Sequence, residues 1–268
     1  MTMINLQALR FQVQTWLDEN VPRDLVLPTH GEEMSPELVA WTLDFRRKLG
    51  AQGWLAPNWP KYLGGGGLPG AAGAVIRDEL GHRRLPPLGL NQTWLTPLRV
   101  WGTEEQKGKW LPPTLRGEIT VYQIVSERAQ GGADLAFQAT TALRDGDDYL
   151  VNGEKGPFGA QLPPDFLFIL VTTDPHGPKY ENLAMMIVDA HDPGVSVRVQ
   201  RTLTGTTLKS YAFKDVRVPP ENIIGGEVGG WQVALTLVDV ERGNPGVTPD
   251  QRVAVEERER AYWLKSAG

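Results

Sequence analysis

Apolar residues in the first part of the chain recur at helical spacing. Leu6, Leu9, Val13 and Trp16-Leu17 rise from an otherwise polar segment that ends at Asn20 and Pro22, which predicts an amphipathic helix. Ser35-Pro36-Glu37 predicts the start of a second, because serine caps and proline has no N–H to lose at the first helical position. Its apolar face is Leu38, Trp41, Phe45 and Leu49, and Gly50 closes it. Residues 53–70 are rich in Gly, Pro and Trp and predict irregular chain. Helices follow over about 71–81 and 94–101, and Thr103-Glu104-Glu105-Gln106 is a capping box that opens another.

Near Gly117 the period shortens. Residues 119–125 alternate loosely and are rich in β-branched side chains. Short apolar runs follow at 139–143, 149–151, 166–172, 183–188, 195–199, 210–213 and 216–218. Asp145-Gly146 and Asn152-Gly153 flank such runs, and both dipeptides predict hairpin turns, where positive φ is needed. From Gly230 helical spacing returns through Trp231, Ala234-Leu235, Val238 and Glu241, until Asn244-Pro245-Gly246 breaks it. The tail beyond Pro249 carries Glu256, Glu257, Arg258, Glu259 and Arg260 with a thin stripe of Ala261, Tyr262 and Leu264; it suits a docking helix and a frayed terminus equally.

The predicted fold class is therefore α+β in separate blocks. An N-terminal α-helical domain spans 1–118, a β-barrel or sandwich domain 119–228, and a helix with a charged tail 229–268.

Composition narrows the chemistry. A chain of 268 residues that is 41% hydrophobic can bury two ordinary cores. A net charge of −5 with only short basic runs, such as Arg83-Arg84, argues against nucleic acid as a partner. The absence of cysteine excludes disulfides, zinc–thiolate sites and thiol nucleophiles. His30, His82, His176 and His191 are scattered without ligand spacing, so no metal site is expected. The longest purely apolar run, Phe166–Val171, is far short of the roughly 20 residues of a membrane helix. With no signal-peptide order at the N-terminus, the chain is expected in the cytoplasm with no membrane partner. Gly65-Gly66-Gly67-Leu68-Pro69-Gly70 matches G-x-G-x-x-G, but no strand precedes it, so it reads as a structural turn. No G-x-S-x-G elbow occurs.

Four strings carry more specific information. They are Gly53-Trp54-Leu55-Ala56-Pro57 with Trp59-Pro60 and Gly64-Gly65; Gly102-Thr103-Glu104-Glu105-Gln106-Lys107 with Trp110-Leu111-Pro112-Pro113 and Gly117-Glu118; Gln123 to Glu127 with Gly132-Ala133-Asp134-Leu135 and Val151-Asn152-Gly153-Glu154-Lys155; and Asp215-Val216-Arg217-Val218-Pro219 through Gly229-Gly230-Trp231 to Glu241-Arg242-Gly243. In order and spacing they resemble the acyl-CoA dehydrogenase family across about residues 5–243.

The resemblance implies an FAD-linked enzyme that oxidises an acyl-CoA thioester to the trans-2-enoyl-CoA. A glutamate takes the α-proton while the β-hydrogen leaves as hydride to the flavin. Tyr122, Gln123, Val125 and Ser126 fall where the family contacts the flavin, as do Gly132, Phe158 and Gly159 further on. A subset of the family carries its base in an Asp-x-Glu-Arg motif on the first helix of the last domain. Asp239-Val240-Glu241-Arg242 matches it, which makes Glu241 the base candidate and places Ala133, Asp239 and Arg242 toward the substrate.

The flavin strings also depart from the family. Glu127 to Asp134 stands for Glu-Pro-x-Ala-Gly-Ser-Asp, with Arg128 for Pro and Ala133 for Ser, and Gly156-Pro157-Phe158-Gly159 stands where a Trp-Thr-Ser is usual. The resemblance implies that only the first helix of a truncated C-terminal helical domain is present, so that the apolar face of helix 231–241 meets water and calls for a partner. Three roles follow. The chain is a subunit of a heteromeric enzyme with a longer family member, a homo-oligomer that binds acyl-CoA or an acyl carrier without flavin, or a self-sufficient flavoenzyme using Glu241.

Overall fold

The computed structural model describes residues 4–29, 32–128 and 134–263. Two compact units make up the chain, Met1–Leu90 with Trp110–Glu118, and Asn91–Lys109 with Ile119–Gly268.

In the first unit, helices α1 (Leu6–Asn20), α2 (Pro36–Ala51) and α3 (Gly70–Gly81) follow the predicted spacing. Asn5 Oδ1 caps α1 by accepting from Gln7 N and Ala8 N, and Ser35 Oγ caps α2 by accepting from Leu38 N at 3.2 Å. Val13, Leu17, Phe45, Leu49, Trp54 and Ile76 form the core between them. Trp41 stacks on Phe45 with centroids 4.8 Å apart.

The second unit holds α4 (Gln92–Trp101) and residues 104–109 of α5 (Glu104–Leu115). The capping box of α5 is formed: Thr103 Oγ1 accepts from Gln106 N, and Gln106 Oε1 accepts from Thr103 N at 2.9 Å. Among the described residues eight strands follow: β1 (Val121–Ile124), β2 (Thr141–Asp145), β3 (Asp148–Phe158), β4 (Phe166–Thr172), β5 (Leu183–Asp189), β6 (Val195–Arg201), β7 (Thr207–Val218) and β8 (Ile223–Ile224). They form one mixed sheet in the order β6-β7-β3-β2-β4-β5-β8, with β1 parallel to β4.

The run predicted over 166–172 is buried because both faces of β4 are covered. Leu167, Ile169 and Val171 join a cluster with Met186, Val188, Tyr211 and Phe213. Phe168 alternates to the opposite face, where its ring lies 5.9 Å from that of Trp94 on α4.

Asp145-Gly146 makes the predicted turn between β2 and β3, with Gly146 at φ +65°. Asn152-Gly153 does not turn; it lies inside β3. Pairing with β7 continues on both sides of it, and the register slips between Val151 and Gly153. The glycine's positive φ (+140°) therefore serves a bulge. Asn152 and Asp215 lock this bulge: Asn152 Oδ1 accepts from Asp215 N at 3.0 Å, and Asn152 Nδ2 donates to Asp215 Oδ1. The two strands expected at 210–213 and 216–218 are one strand, β7, bent at Asp215.

Helix α6 (Gly230–Glu241) packs on β5 and α4. Glycine is required at its start, since a Cβ on Gly230 would stand 2.4 Å from Leu183 O. Val233, Ala234 and Leu237 are buried, and Trp101 Nε1 donates to Thr236 Oγ1 at 2.9 Å. The expectation that the apolar face of this helix meets water is thus corrected in part: α4 and β5 cover Val233, Ala234 and Leu237, while Leu235 stays exposed.

The charged tail is helix α7 (Pro249–Trp263), docked on α4. Glu259 is fully buried and accepts from Arg99 Nε and Nη2, both at 2.8 Å. Lys107, also fully buried, lies 3.9 Å from Glu259 and donates to Glu104 Oε1 at 2.6 Å. Trp263 Nε1 donates to Glu104 Oε2 at 3.0 Å.

Candidate functional site

Two of the strings singled out in the sequence, the third and the fourth, meet around β1. Along this strand Tyr122 and Gln123 pair with Leu167 and Phe168 of β4, and Ile124 is buried in the sheet core. The chain then leaves the strand through Val125, half-buried, and Ser126, exposed. Ser126 O accepts from Gly156 N at 2.9 Å, which ties the end of β1 to the end of β3.

Beyond Gly156, Phe158 sits between two tyrosines, with ring centroids 5.6 Å from Tyr122 and 5.7 Å from Tyr211. Burial, with Tyr122 as a lesser neighbour, pushes the Tyr211 hydroxyl up to about 12, so it stays protonated. Gly159 follows, exposed, in open space: a Cβ there would meet only Leu208 Cδ2, at 4.0 Å.

Behind this surface a buried ion pair holds the two loops together. Lys155 Nζ donates to Glu127 Oε1 at 2.6 Å and to Gln138 Oε1, and Glu127 in turn accepts from Ala139 N at 2.7 Å and Thr140 N at 3.0 Å. Burial pushes the Lys155 ammonium down to about 8, against the opposing pull of Glu127. For Glu127 burial pushes upward, but Lys155 and the Thr140 N–H outweigh it and leave the carboxyl below its ordinary range. Ser126 and Glu127 on one side and Lys155 to Phe158 on the other are thereby fixed in register.

The fourth string arrives on α6. Glu241, its last residue, is exposed and accepts from Gln123 Nε2 at 3.1 Å. Gln123 Oε1 accepts from Asn91 Nδ2, and Asn91 Oδ1 accepts from Thr93 N at 3.1 Å as the cap of α4. Asp239 turns away from this group: its Oδ1 accepts from Asn244 Nδ2 at 2.8 Å and closes the end of the helix. Arg242 is the exposed C-cap of α6. Gly132 and Ala133 lie outside the described residues.

The structure thus joins Gln123 and Glu241 directly, and Tyr122 and Phe158 through ring contact. Asn91 and Gln138 are participants that sequence reasoning missed, as is the pairing of Glu127 with Lys155, two residues named only as part of the resemblance. For Asn91 a signal existed, as an Asn just before a helical run is a strong cap candidate. For the Glu127–Lys155 pair no local signal existed, since Lys155 stands between Glu154 and Gly156. Among the described residues, one group has metal-ligand composition: Asp78, Glu79 and His82. There Arg10 already bonds both carboxylates, Asp78 at 2.8 Å.

Comparisons with known proteins place these observations. Residues 5–118 match the family model described as the N-terminal domain of acyl-CoA dehydrogenase. The chain is similar to acyl-CoA dehydrogenase FadE29 of Mycobacterium tuberculosis (strain ATCC 25618 / H37Rv), 35% identical over 199 residues that cover 73% of this chain and 51% of that protein. In structure it is similar to the Tcur3481-Tcur3483 steroid ACAD G363A variant, with a TM-score of 0.73 and 30% identity over 88% of this chain and 62% of that one. It is also similar to the ChsE4-ChsE5 complex from Mycobacterium tuberculosis, with a TM-score of 0.67 and 28% identity over 89% and 61%. The chain spans about half the length of the curated relatives it matches. Among the described residues no helix is long and apolar enough to cross a membrane.

Proposed function

Because the chain belongs to the acyl-CoA dehydrogenase family, we propose that it serves as a subunit of a heteromeric, FAD-linked acyl-CoA dehydrogenase in which Glu241 is the base. One observation carries this reading: the Glu241 carboxylate is hydrogen-bonded, at 3.1 Å, to Gln123 on the very strand whose neighbours are the flavin candidates. Two-chain assembly is supported by the likeness to the Tcur3481-Tcur3483 and ChsE4-ChsE5 proteins, whose names each pair two chains. The first of these is named as a steroid enzyme, so a steroid-derived acyl-CoA is the first thioester to test.

The residues present fit an aromatic cofactor. The half-buried rings of Tyr122 and Phe158, the exposed Ser126 hydroxyl and the open space before Gly159 offer an apolar face with a polar edge. Tyr122, Val125, Ser126, Phe158 and Gly159 would hold FAD there, and the bound flavin supplies the acceptor for the substrate's β-hydrogen. Glu241 removes and holds the α-proton, with Gln123 Nε2 anchoring one carboxylate oxygen and leaving the other to face the α-carbon. Arg242, exposed one residue on, suits the anionic CoA moiety.

One observation favours a second reading, in which the chain binds acyl-CoA or an acyl carrier without flavin. Phe158 already has ring neighbours in Tyr122 and Tyr211, and Pro157 offers no N–H beside it. Steady-state kinetics of the chain co-purified with a longer family member decide between them. Glu241→Gln should lower kcat by about 10²- to 10⁴-fold with acyl-CoA binding retained. Unchanged kcat in that variant removes Glu241 as base, and a pair that binds acyl-CoA but never oxidises it supports the second reading.

A further inference from the structure

Gln123 faces Glu241 with an amide whose two ends have opposite effects. The NH2 donates to a carboxylate; the carbonyl oxygen repels it. Nothing about Gln123 itself chooses between them. The choice is made one residue further back, by the start of α4.

Asn91 is the cap of that helix. Its Oδ1 is committed to Thr93 N at 3.1 Å, so the atom it turns toward Gln123 is Nδ2, which can only donate. Gln123 must answer with Oε1, and its own NH2 is thereby turned to Glu241 Oε1 at 3.1 Å. Polarity runs one way through three side chains, from a helix cap to an exposed carboxylate 150 positions along the chain, Asn91 to Glu241. We propose that Asn91 is a positioning residue for Glu241: it fixes the orientation of the Gln123 amide, so that Glu241 receives a donor on one oxygen and keeps the other free. The catalytic significance of this relay rests on the reading of Glu241 as base; the relay itself does not.

The test uses two variants that both keep the helix cap. Asn91→Asp is isosteric and caps at least as well, but it presents an oxygen to Gln123 and forces the amide to reverse. Asn91→Ser also caps, and leaves Gln123 free to follow Glu241. A merely structural role makes the smaller serine the more damaging change; the relay makes aspartate so. In the purified chain, nuclear Overhauser contacts of the Gln123 side-chain NH2 should run to the Glu241 γ-protons in wild type and in Asn91→Ser. In Asn91→Asp they should move to the β-protons of residue 91. In the flavin-loaded complex Asn91→Asp should lower kcat by about 10-fold or more with KM little changed, and Asn91→Ser should have the smaller effect. NH2 contacts that remain on Glu241 in Asn91→Asp overturn the relay whatever the activity. Contacts that move while kcat stays at wild type uphold the relay and reject Glu241 as base.

Discussion

The docking of α7 can be tested by removing a single charge. Glu259→Gln keeps the shape of the side chain and one acceptor oxygen, but it leaves Arg99 without its two-oxygen partner and takes the second carboxylate away from Lys107. Breaking one member of a buried pair costs about 3–5 kcal/mol, because the remaining charge stays out of water. Here the lower end applies. Lys107 retains Glu104 at 2.6 Å, and the Arg99 side chain is 25% exposed and can recruit water. About 3 kcal/mol is then lost from the contact that holds α7.

Apart from Glu259, only Val255 is buried among the residues of this helix. A 15-residue helix so sparsely anchored leaves before the sheet opens. At about 1.4 kcal/mol per tenfold, the open population rises about 100-fold. Limited trypsin digestion reads this directly at the exposed Arg252, because cleavage follows the open fraction when closing is fast. Glu257→Gln, exposed on the same helix, is the control and should be cleaved like wild type. Cleavage of Glu259→Gln at the wild-type rate would refute the claim that this ion pair seats the helix.

Two further outcomes follow from the second unit. Phe168→Ala removes a fully buried ring beside Trp94 and should cost about 3–5 kcal/mol, measured by denaturant unfolding; a loss below about 1 kcal/mol would mean that α4 is not packed on β4 as described. The Lys155 ammonium, held down at about 8 by burial against an ordinary 10.5, makes the unfolded chain bind more protons between those values. Wild type should therefore gain stability relative to Lys155→Met as pH rises through that window, whereas a parallel pH dependence of the two unfolding midpoints would contradict the burial of a charged lysine.

Most of the helical architecture was legible because spacing and caps agree with packing at each helix. Ser35-Pro36 and Thr103 to Gln106 are local signals that the structure uses where they stand. The continuous run at 166–172 was legible as a strand, and its burial on two faces explains why it does not alternate. Asn152-Gly153 misled because positive φ serves a bulge as well as a turn, and only the pairing with β7 on both sides decides which. The tail was ambiguous for a different reason. Its apolar stripe is thin, and what anchors it is a buried carboxylate whose partners, Arg99 and Lys107, lie some 150 residues earlier in the chain. Such long-range polar pairs leave no periodic trace, and the Lys155–Glu127 pair behind the candidate site escaped for the same reason. Glu241 and Gln123 were both named from sequence, but their hydrogen bond, and the part of Asn91 in it, needed the fold.

The absorbance spectrum of the chain purified together with a longer acyl-CoA dehydrogenase tests the account most directly. A flavin band at about 450 nm is expected in the complex. Adding an acyl-CoA should bleach this band in wild type and leave it standing in Glu241→Gln. A colourless complex, or bleaching of the Glu241→Gln complex at the wild-type rate, would contradict it.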